Sequence, residues 1–186
     1  MLLEHHARAL LLLHGLVAAV LVGASTHQLL WCRHYLRGRF DRARAERRFA
    51  AVASAAFVAT FFLGNLLYPT YKVRVRAEYF DAPSAVVAEG ALRDSEAAHH
   101  HAPLPRAEAA DLSWVGRLFD VKEHWVALGC AASLALLLLS RRAHPEGDRR
   151  LLALYLGLSF VVAGTAWTGA VIGLVTASFR AVGGVS

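Results

Sequence analysis

The chain has 186 residues, of which 56% are hydrophobic and only 18% are charged. This composition is too apolar for an ordinary water-soluble domain, and it excludes a disordered tail, a collagen-like fibre and a disulfide miniprotein. The formal net charge is +6, and the basic residues lie mainly in short segments that flank apolar runs. We therefore expect this charge to set membrane orientation, and we expect no nucleic-acid partner.

Four apolar runs predict four transmembrane helices, because each run approaches the roughly twenty residues that cross a bilayer core of about 30 Å. The expected fold is an all-α four-helix membrane bundle that forms a single integral membrane domain over residues 1–186. The first helix is expected to be retained, because a signal peptide would have a positive start and a shorter apolar core. The predicted spans are residues 10–31, 49–68, 121–140 and 151–179.

Two short connecting segments are rich in arginine. Residues 33–48 hold seven arginines against two acids, and residues 141–150 hold four against two. Short basic segments stay on the cytoplasmic side of a membrane, so both termini are expected on the outer, periplasmic side. Only Lys72 and Lys122 are lysines, a bias typical of GC-rich bacterial genomes. The bacterial inner (plasma) membrane is therefore the expected location.

Residues 69–120 are predicted to form one long external loop between the second and third helices, beginning where Pro69 ends the second span. Basic residues alternate with valines from Lys72 to Arg76, which permits a short strand or an extended clamp, with a continued helix as the open alternative. Residues 82–110 lack an apolar period and are predicted to be a mobile insertion. Residues 112–119 regain apolar character and are expected to lie along the membrane interface.

Small residues recur at helical spacing in three of the spans, so we expect the helix backbones to approach closely there. The two cysteines, Cys32 and Cys130, fall in or beside apolar runs and are interpreted as small apolar residues without a disulfide. The expected packing positions are Gly15, Ala19 and Gly23 in the first span, Ala56, Thr60 and Gly64 in the second, and Gly169 and Gly173 in the fourth.

Polar and ionisable side chains form a layer near the outer surface. A rise of 1.5 Å per residue from the cytoplasmic ends places His14 at a height of about 27 Å and His124 at about 24 Å. Groups at that depth are costly unless they are paired or hydrated, which makes them functional candidates. The alternative is snorkelling, interfacial anchoring and ordinary interior hydrogen bonding. The layer comprises His14, Asn65, Tyr68, Lys122, Glu123, His124, Trp167 and Thr168.

Two cofactors suit this layer. Imidazoles at one height on different helices can be the axial ligands of a b-type haem, so His14 and His124 are the candidate ligands of the haem iron. Asp120 lies one turn before His124, where it could hold the far nitrogen of that ring. The second candidate is a quinone, whose head group is held by hydrogen-bonding side chains near a membrane surface. The candidate residues for it are Tyr68, Asn65, Glu123 and His124.

Two further groups lie outside the predicted spans. His99–His101, with His5 and His6 on the same side, could bind a transition metal, although the segment is low in complexity. Lys72, Arg74 and Arg76 form a basic stripe that could dock an acidic partner. The alternative is that these basic residues pair with the nearby acids Glu78, Asp81 and Glu89.

Three functions remain open at this stage. The first is an integral membrane subunit of an electron-transfer or quinone-linked complex, in contact with the lipid bilayer and with other membrane subunits. The second is a cofactor-free accessory or structural subunit, and the third is a component of a proton-coupled transporter. No nucleophile elbow, phosphate-binding glycine loop or zinc motif is visible, so the chain is expected to be at most an electron-relay or non-catalytic subunit.

Overall fold

The computed structural model of the chain describes residues 6–82, 84, 85, 87, 88, 91, 113–143 and 145–179. Four long helices dominate these residues, and no strand occurs among them. The helices are α1 (Ala7–Leu36), α2 (Ala43–Thr70), α3 (Ser113–Arg142) and α4 (Arg149–Phe179). Each is long and apolar enough to cross a membrane. The all-α class and the presence of four helices able to span a membrane are therefore confirmed, and the chain is a multi-pass membrane protein in contact with lipid.

The helix that begins with α2 does not end at the membrane surface. It passes through Pro69 and continues as a π-helix over Tyr71–Phe80. The prediction of a strand or clamp at residues 72–76 is wrong, and the alternative of a continued helix is confirmed. The predicted loop over residues 69–120 is not confirmed at those bounds, because the chain is helical up to Phe80 and again from Ser113. Most of the predicted mobile insertion, residues 82–110, lies outside the described residues.

Pro69 explains why the helix widens where it does. Proline has no backbone N–H, so the carbonyl group of Asn65 lacks its usual donor four residues later, and helices respond to this defect by kinking or widening locally. The π-helix that follows buries Tyr71, Val75 and Tyr79 at every fourth position. The Tyr71 ring stacks on Phe119 of α3 with 3.7 Å between the ring centroids. The extension is therefore held against α3.

The four helices form a closed ring. Helix α1 packs extensively against α2 and α4, and α3 packs against the same two helices. Helices α1 and α3 therefore lie at opposite corners of the bundle. Because consecutive helices run in opposite directions, the two arginine-rich connections lie at the same end, which we call the arginine end. The other end, which carries the π-helix, we call the π-helix end.

The middle of the bundle is packed without gaps. Phe57 and Val162 are completely buried, and Leu21 and Leu136 are nearly so. A Cβ atom on Gly129 would lie 2.8 Å from the Cβ of Thr165 and would also overlap the Phe57 ring. Only glycine therefore allows α3 to approach α2 and α4 at this level.

The small residues divide into two groups. Ala56, Thr60 and Gly169 are buried between helices as predicted. The predicted packing positions on α1 are wrong, because Gly15, Ala19 and Gly23 are exposed and a Cβ on either glycine would meet nothing within 4 Å. These α1 positions face lipid because the buried side of α1 is set by Leu21, Ala24 and Gln28 instead. Cys32 and Cys130 are both free thiols, as predicted.

Candidate functional site in the bundle interior

The structure places His14 inside the bundle near the π-helix end. Its ring, on α1, is half-buried and faces α2 at the backbone of Thr60 and at Gly64, where an added Cβ would lie 3.5 Å from the ring carbon Cε1. The ring nitrogen Nδ1 is buried, and no described residue hydrogen-bonds to it. A buried imidazole nitrogen without a partner is unusual, because buried polar atoms are normally satisfied.

Lys122 of α3 also points into the bundle. A Cβ atom on Gly173 of α4 would lie only 3.0 Å from the Lys122 Nζ, so the side chain reaches across to α4 over a glycine. The ammonium group lies 5.3 Å from the centroid of the Phe119 ring. It interacts electrostatically with His14 and with the carboxylate of Glu123. No carboxylate among the described residues forms an ion pair with Lys122. We call Lys122 and His14 the basic pair.

His124 occupies a different face of α3. It is exposed, and its ring nitrogen Nδ1 lies 2.8 Å from the backbone carbonyl oxygen of Asp120. Two residues correspond to about 200° around a helix, so the inward position of Lys122 directs His124 outward. The structure therefore does not bring His124 and His14 together. Ligation of one haem by both histidines stays a prediction, and it would require α3 to rotate by about half a turn.

Asp120 is engaged elsewhere. Its carboxylate accepts two hydrogen bonds from the Arg76 guanidinium, with the Nη2 to Oδ2 contact at 3.1 Å. The Nε of Arg76 also lies 3.4 Å from Asp81. Arg74 pairs with Glu78 at 3.3 Å. The expected pairing of Arg74 and Arg76 with nearby acids is thus confirmed. The Asp120 carboxylate joins the π-helix to α3, while the backbone carbonyl oxygen of Asp120 is the group that holds a ring nitrogen of His124.

The candidate quinone ligands do not surround one space. Asn65 is exposed, and its side-chain amide donates to the carbonyl of Phe61 in its own helix at 2.8 Å. Tyr68 is half-buried and packs against the apolar cluster of the π-helix. Glu123 is half-buried and interacts electrostatically with Asp120 and His124.

The two remaining members of the layer lie apart from the basic pair. Trp167 is exposed on α4, and its indole N–H donates to the Thr26 hydroxyl of α1 at 3.0 Å. The Thr168 hydroxyl donates to the carbonyl of Gly164 at 2.8 Å within its own helix. Of the eight residues in the predicted layer, the structure brings only His14 and Lys122 together in the interior.

A second polar cluster lies at the arginine end, and sequence reasoning missed it. Glu46, near the start of α2, is only 2% exposed. Its carboxylate accepts a hydrogen bond from the side-chain amide of Gln28 and another, at 3.4 Å, from the Tyr35 hydroxyl. The Tyr155 hydroxyl of α4 also lies beside the carboxylate, but without the geometry of a hydrogen bond. We call these four residues the Glu46 cluster.

The Glu46 cluster continues into a thiol–hydroxyl contact. The Cys32 thiol, one turn after Gln28, donates to the Ser159 hydroxyl at 3.3 Å, and that hydroxyl donates to the carbonyl of Tyr155 at 2.8 Å. Each of these side chains is buried. Polar groups from α1, α2 and α4 are therefore joined at one level of the bundle.

Helical spacing offers a signal for Glu46. It lies four, seven and eleven residues before Ala50, Ala53 and Phe57, all of which are buried, so it shares their face of α2. From the sequence alone, residues 33–48 are interpreted as an orientation signal that also touches anionic lipids. Because the segment is rich in arginine, its basic composition was considered as a whole, and the inward position of Glu46 was not predicted.

The basic pair and the Glu46 cluster are separated by the apolar middle of the bundle. His14 and Gln28 are fourteen residues apart on α1, which corresponds to about 21 Å along the helix. Leu21, Phe57 and Val162 are buried at intermediate positions. The two polar groups therefore do not communicate directly in this conformation.

Among the described residues, no group of three or more histidine, cysteine, aspartate or glutamate side chains could hold a metal ion. The histidines His99–His101 lie outside the described residues. No protein-family model, curated protein or solved structure matches this chain. Its function must therefore be inferred from the geometry of its own residues.

Proposed function

We propose that this chain is an integral membrane subunit that takes up and releases protons inside its bundle, as one component of a larger proton-coupled membrane complex. The observation that carries the proposal is the basic pair. Lys122 and His14 both point into the interior, where the charge of Lys122 acts on His14, and neither forms an ion pair with a carboxylate among the described residues; Glu123 is the acid whose charge acts on Lys122.

The physical reason is the cost of charge in a medium of low dielectric constant. Two neighbouring cations repel one another strongly when water is excluded, so the basic pair is suited to hold one proton and to pass it on. Ionisable side chains that face a bundle interior within a membrane commonly belong to ion pathways and proton relays. The unsatisfied Nδ1 of His14 supplies a place for that proton.

The Glu46 cluster supports the same proposal from the arginine end. A carboxylate surrounded by one amide and two phenol hydroxyls can accept or donate a proton with little movement of heavy atoms. It lies one turn inside the bundle from an arginine-rich surface. Glu46 and the basic pair thus provide an ionisable site towards each end of the bundle.

The apolar middle indicates how such a subunit would work. Phe57 and Val162 close the space between the two sites, so a proton crosses only when the helices shift or water enters. One hydrogen bond already joins α2 to α3: the Ser54 hydroxyl donates to the backbone carbonyl of Ser133 at 2.8 Å. We propose that a partner subunit drives this opening, because a bundle that leaked protons by itself would dissipate the membrane gradient.

The experiment measures proton entry into liposomes that carry a trapped pH-sensitive dye and hold the full chain with its co-purifying subunits. Lys122→Met and Glu46→Gln should each lower the rate by about 100-fold, the order expected when a positioned proton-transfer group is lost. Lys72→Met is the matched control, because Lys72 is exposed and is the only other lysine. Its rate should equal that of the wild type.

Two results would overturn the proposal. One is a wild-type rate no higher than that of protein-free liposomes. The other is a Lys122→Met variant that conducts as well as the wild type. Either result would leave the quinone-linked subunit and the cofactor-free accessory subunit as the remaining functions; in the latter, both polar groups only hold the helices together.

The quinone-linked electron-transfer function is a second candidate, favoured by one observation. The unsatisfied His14 Nδ1 and the Lys122 ammonium group lie together near the π-helix end, where they could hydrogen-bond to the carbonyl oxygen of a quinone. We expect a quinone to be extracted from the wild type but not from His14→Ala.

A b-type haem would instead give a Soret band that is lost in both His14→Ala and His124→Ala. A colourless, quinone-free, folded preparation would exclude both cofactors.

We further propose that the chain lies in a bacterial inner membrane with both termini on the periplasmic side. The shared location of the two arginine-rich connections supports this orientation, because such segments stay in the cytoplasm. A cysteine introduced at the exposed Arg37 should react with a membrane-impermeant maleimide only after the cells are opened. Labelling in intact cells would reverse the orientation.

A further inference from the structure

An open groove of about 740 Å³ runs along the lipid-facing surface between α2 and α3. Helix α2 contributes Ala51, Ala55, Val58 and Phe62 to its walls, and α3 contributes Leu134. The side chains of α2 in the groove are small at the arginine end and aromatic at the far end. The groove plays no part in the proposed proton transfer, since it lies outside the bundle.

The length of the groove matches half of a membrane. Ala51 and Phe62 are eleven residues apart, which corresponds to about 16 Å along α2, and the hydrocarbon core of a bilayer is about 30 Å thick. A transmembrane helix of another subunit would follow α2 across the whole core. A single acyl chain from one leaflet would fill only the half in which the groove lies.

The end of the groove that lies at the arginine end of the bundle is strongly basic. Arg141 of α3 lies on its rim, and no acidic residue lines it. Arg44, Arg47 and Arg48 precede Ala51 by seven, four and three residues and are exposed, so they lie on the same face of α2 as the groove. Glu46 is buried on the opposite face of α2 and interacts electrostatically with Arg47 alone among these three arginines.

We propose that this groove binds one acyl chain of an anionic phospholipid, with the phosphate held by Arg141 and the neighbouring α2 arginines. Basic pockets between transmembrane helices are suited to anionic head groups. A second copy of this chain in the same orientation would bring its own arginines to the same level, and the like charges would repel. Length and charge therefore both favour a lipid over a second copy.

The first test measures the head group. The full chain is purified in mild detergent, mixed with equal amounts of phosphatidylglycerol and phosphatidylcholine, and examined by native mass spectrometry. The wild type should retain phosphatidylglycerol preferentially. Arg141→Gln should reduce that retention by about five-fold, the effect expected of one arginine near a lipid surface. Arg33→Gln is the control, because Arg33 is exposed on α1, at the corner of the bundle opposite α3.

The second test fills the groove. Ala55→Phe should abolish the preferential retention of phosphatidylglycerol, whereas Ala153→Phe, at an exposed alanine of α4, should leave it unchanged. Ala59→Leu is the gentler variant if Ala55→Phe lowers the yield of folded protein. Neither groove variant should alter proton entry into liposomes, so failure here is distinguishable from failure of the proposed function.

Three outcomes would overturn the inference. The wild type could retain the two lipids equally, which would remove the role of the arginines. Ala55→Phe could retain phosphatidylglycerol as well as the wild type does, which would place the lipid elsewhere. A wild-type dimer that Ala55→Phe converts to a monomer would show that a second copy occupies the groove.

Discussion

The two ends of the bundle differ in how their buried ionisable side chains are hydrogen-bonded. At the arginine end, the Glu46 carboxylate accepts hydrogen bonds from Gln28 and Tyr35, so the acid itself is supplied with donors, whereas the Gln28 Oε1 and the Tyr155 hydroxyl have no partner among the described residues. At the π-helix end, Lys122 faces His14, and the His14 Nδ1 has no partner among the described residues. A polar group that is satisfied stabilises a fold, whereas one that is unsatisfied stores free energy that function can use.

Of the variants considered, Glu46→Leu should cause the largest fall in the free energy of unfolding. This change removes the acceptor of the buried Gln28 amide and of the Tyr35 hydroxyl, and the free energy of unfolding should fall by about 3 kcal/mol. Glu46→Gln keeps an acceptor oxygen at the same place and should cost about 1 kcal/mol. Denaturant-induced loss of helical circular dichroism in mixed micelles measures both values. Equal losses for the two variants would show that the hydrogen bonds do not determine the stability of this end.

A single added methyl group should destabilise the apolar layer that separates the two ends of the bundle. Gly129→Ala would place a Cβ against the buried Thr165 and Phe57, and overpacking of this kind costs about 2 kcal/mol. The same measurement on Gly15→Ala is the control, because nothing lies within 4 Å of a Cβ at Gly15. If Gly129→Ala were as stable as the control, the middle layer would be looser than the structure indicates.

Lys122→Met should raise the free energy of unfolding, whereas the preceding variants lower it. Replacing a half-buried, unpaired ammonium with an apolar side chain of similar length removes a desolvation cost, and the free energy of unfolding should rise by about 1 kcal/mol. A more stable variant that no longer transfers protons would show that Lys122 is kept for function. If Lys122→Met were destabilised by as much as Glu46→Leu, the two ends of the bundle would not differ in the way described.

The smallest effect is expected at the surface of the π-helix end. Arg76 and Asp120 are partly exposed to water, with side-chain exposures of 29% and 40%, so their coupling energy in a double-mutant cycle should be about 0.5 kcal/mol and should fall as salt is added. The cycle compares Arg76→Gln, Asp120→Asn and the double variant. A coupling energy that does not respond to salt would mean that the pair is more deeply buried than it is in the structure.

The sequence predicted that His14 and His124 lie in long apolar helices, because the length of an apolar run identifies such helices. It did not predict which side chains of different helices lie level with one another: Trp167, expected at the height of His14, donates to Thr26, twelve residues further along α1. The directions of the side chains could not be predicted either. Which of His124 and Lys122 faces the interior depends on the rotation of α3 about its axis. That rotation follows from Gly129 and Gly173, which let α3 and Lys122 approach the other helices.

The Glu46 cluster shows the same limit in another form. The sequence contains the signal for the buried face of α2 in the spacing of Glu46, Ala50 and Phe57, but the side chains around Glu46, such as Gln28 and Tyr155, come from other helices. No periodicity within one helix predicts that they meet, because the contact depends on how three helices pack. The quinone candidates Asn65 and Tyr68 failed to converge with His124 for the same reason.

The sequence by itself determined that this chain has four membrane-spanning helices and that its two arginine-rich connections belong together. Both features follow from the free-energy cost of exposing unpaired backbone groups and charged side chains to lipid. Only the tertiary structure decided which polar side chains face the interior, that the second helix continues past Pro69, and that a groove opens beside the arginines. These features depend on the rotation and contact of neighbouring helices, which many different sequences of the same hydropathy would arrange differently.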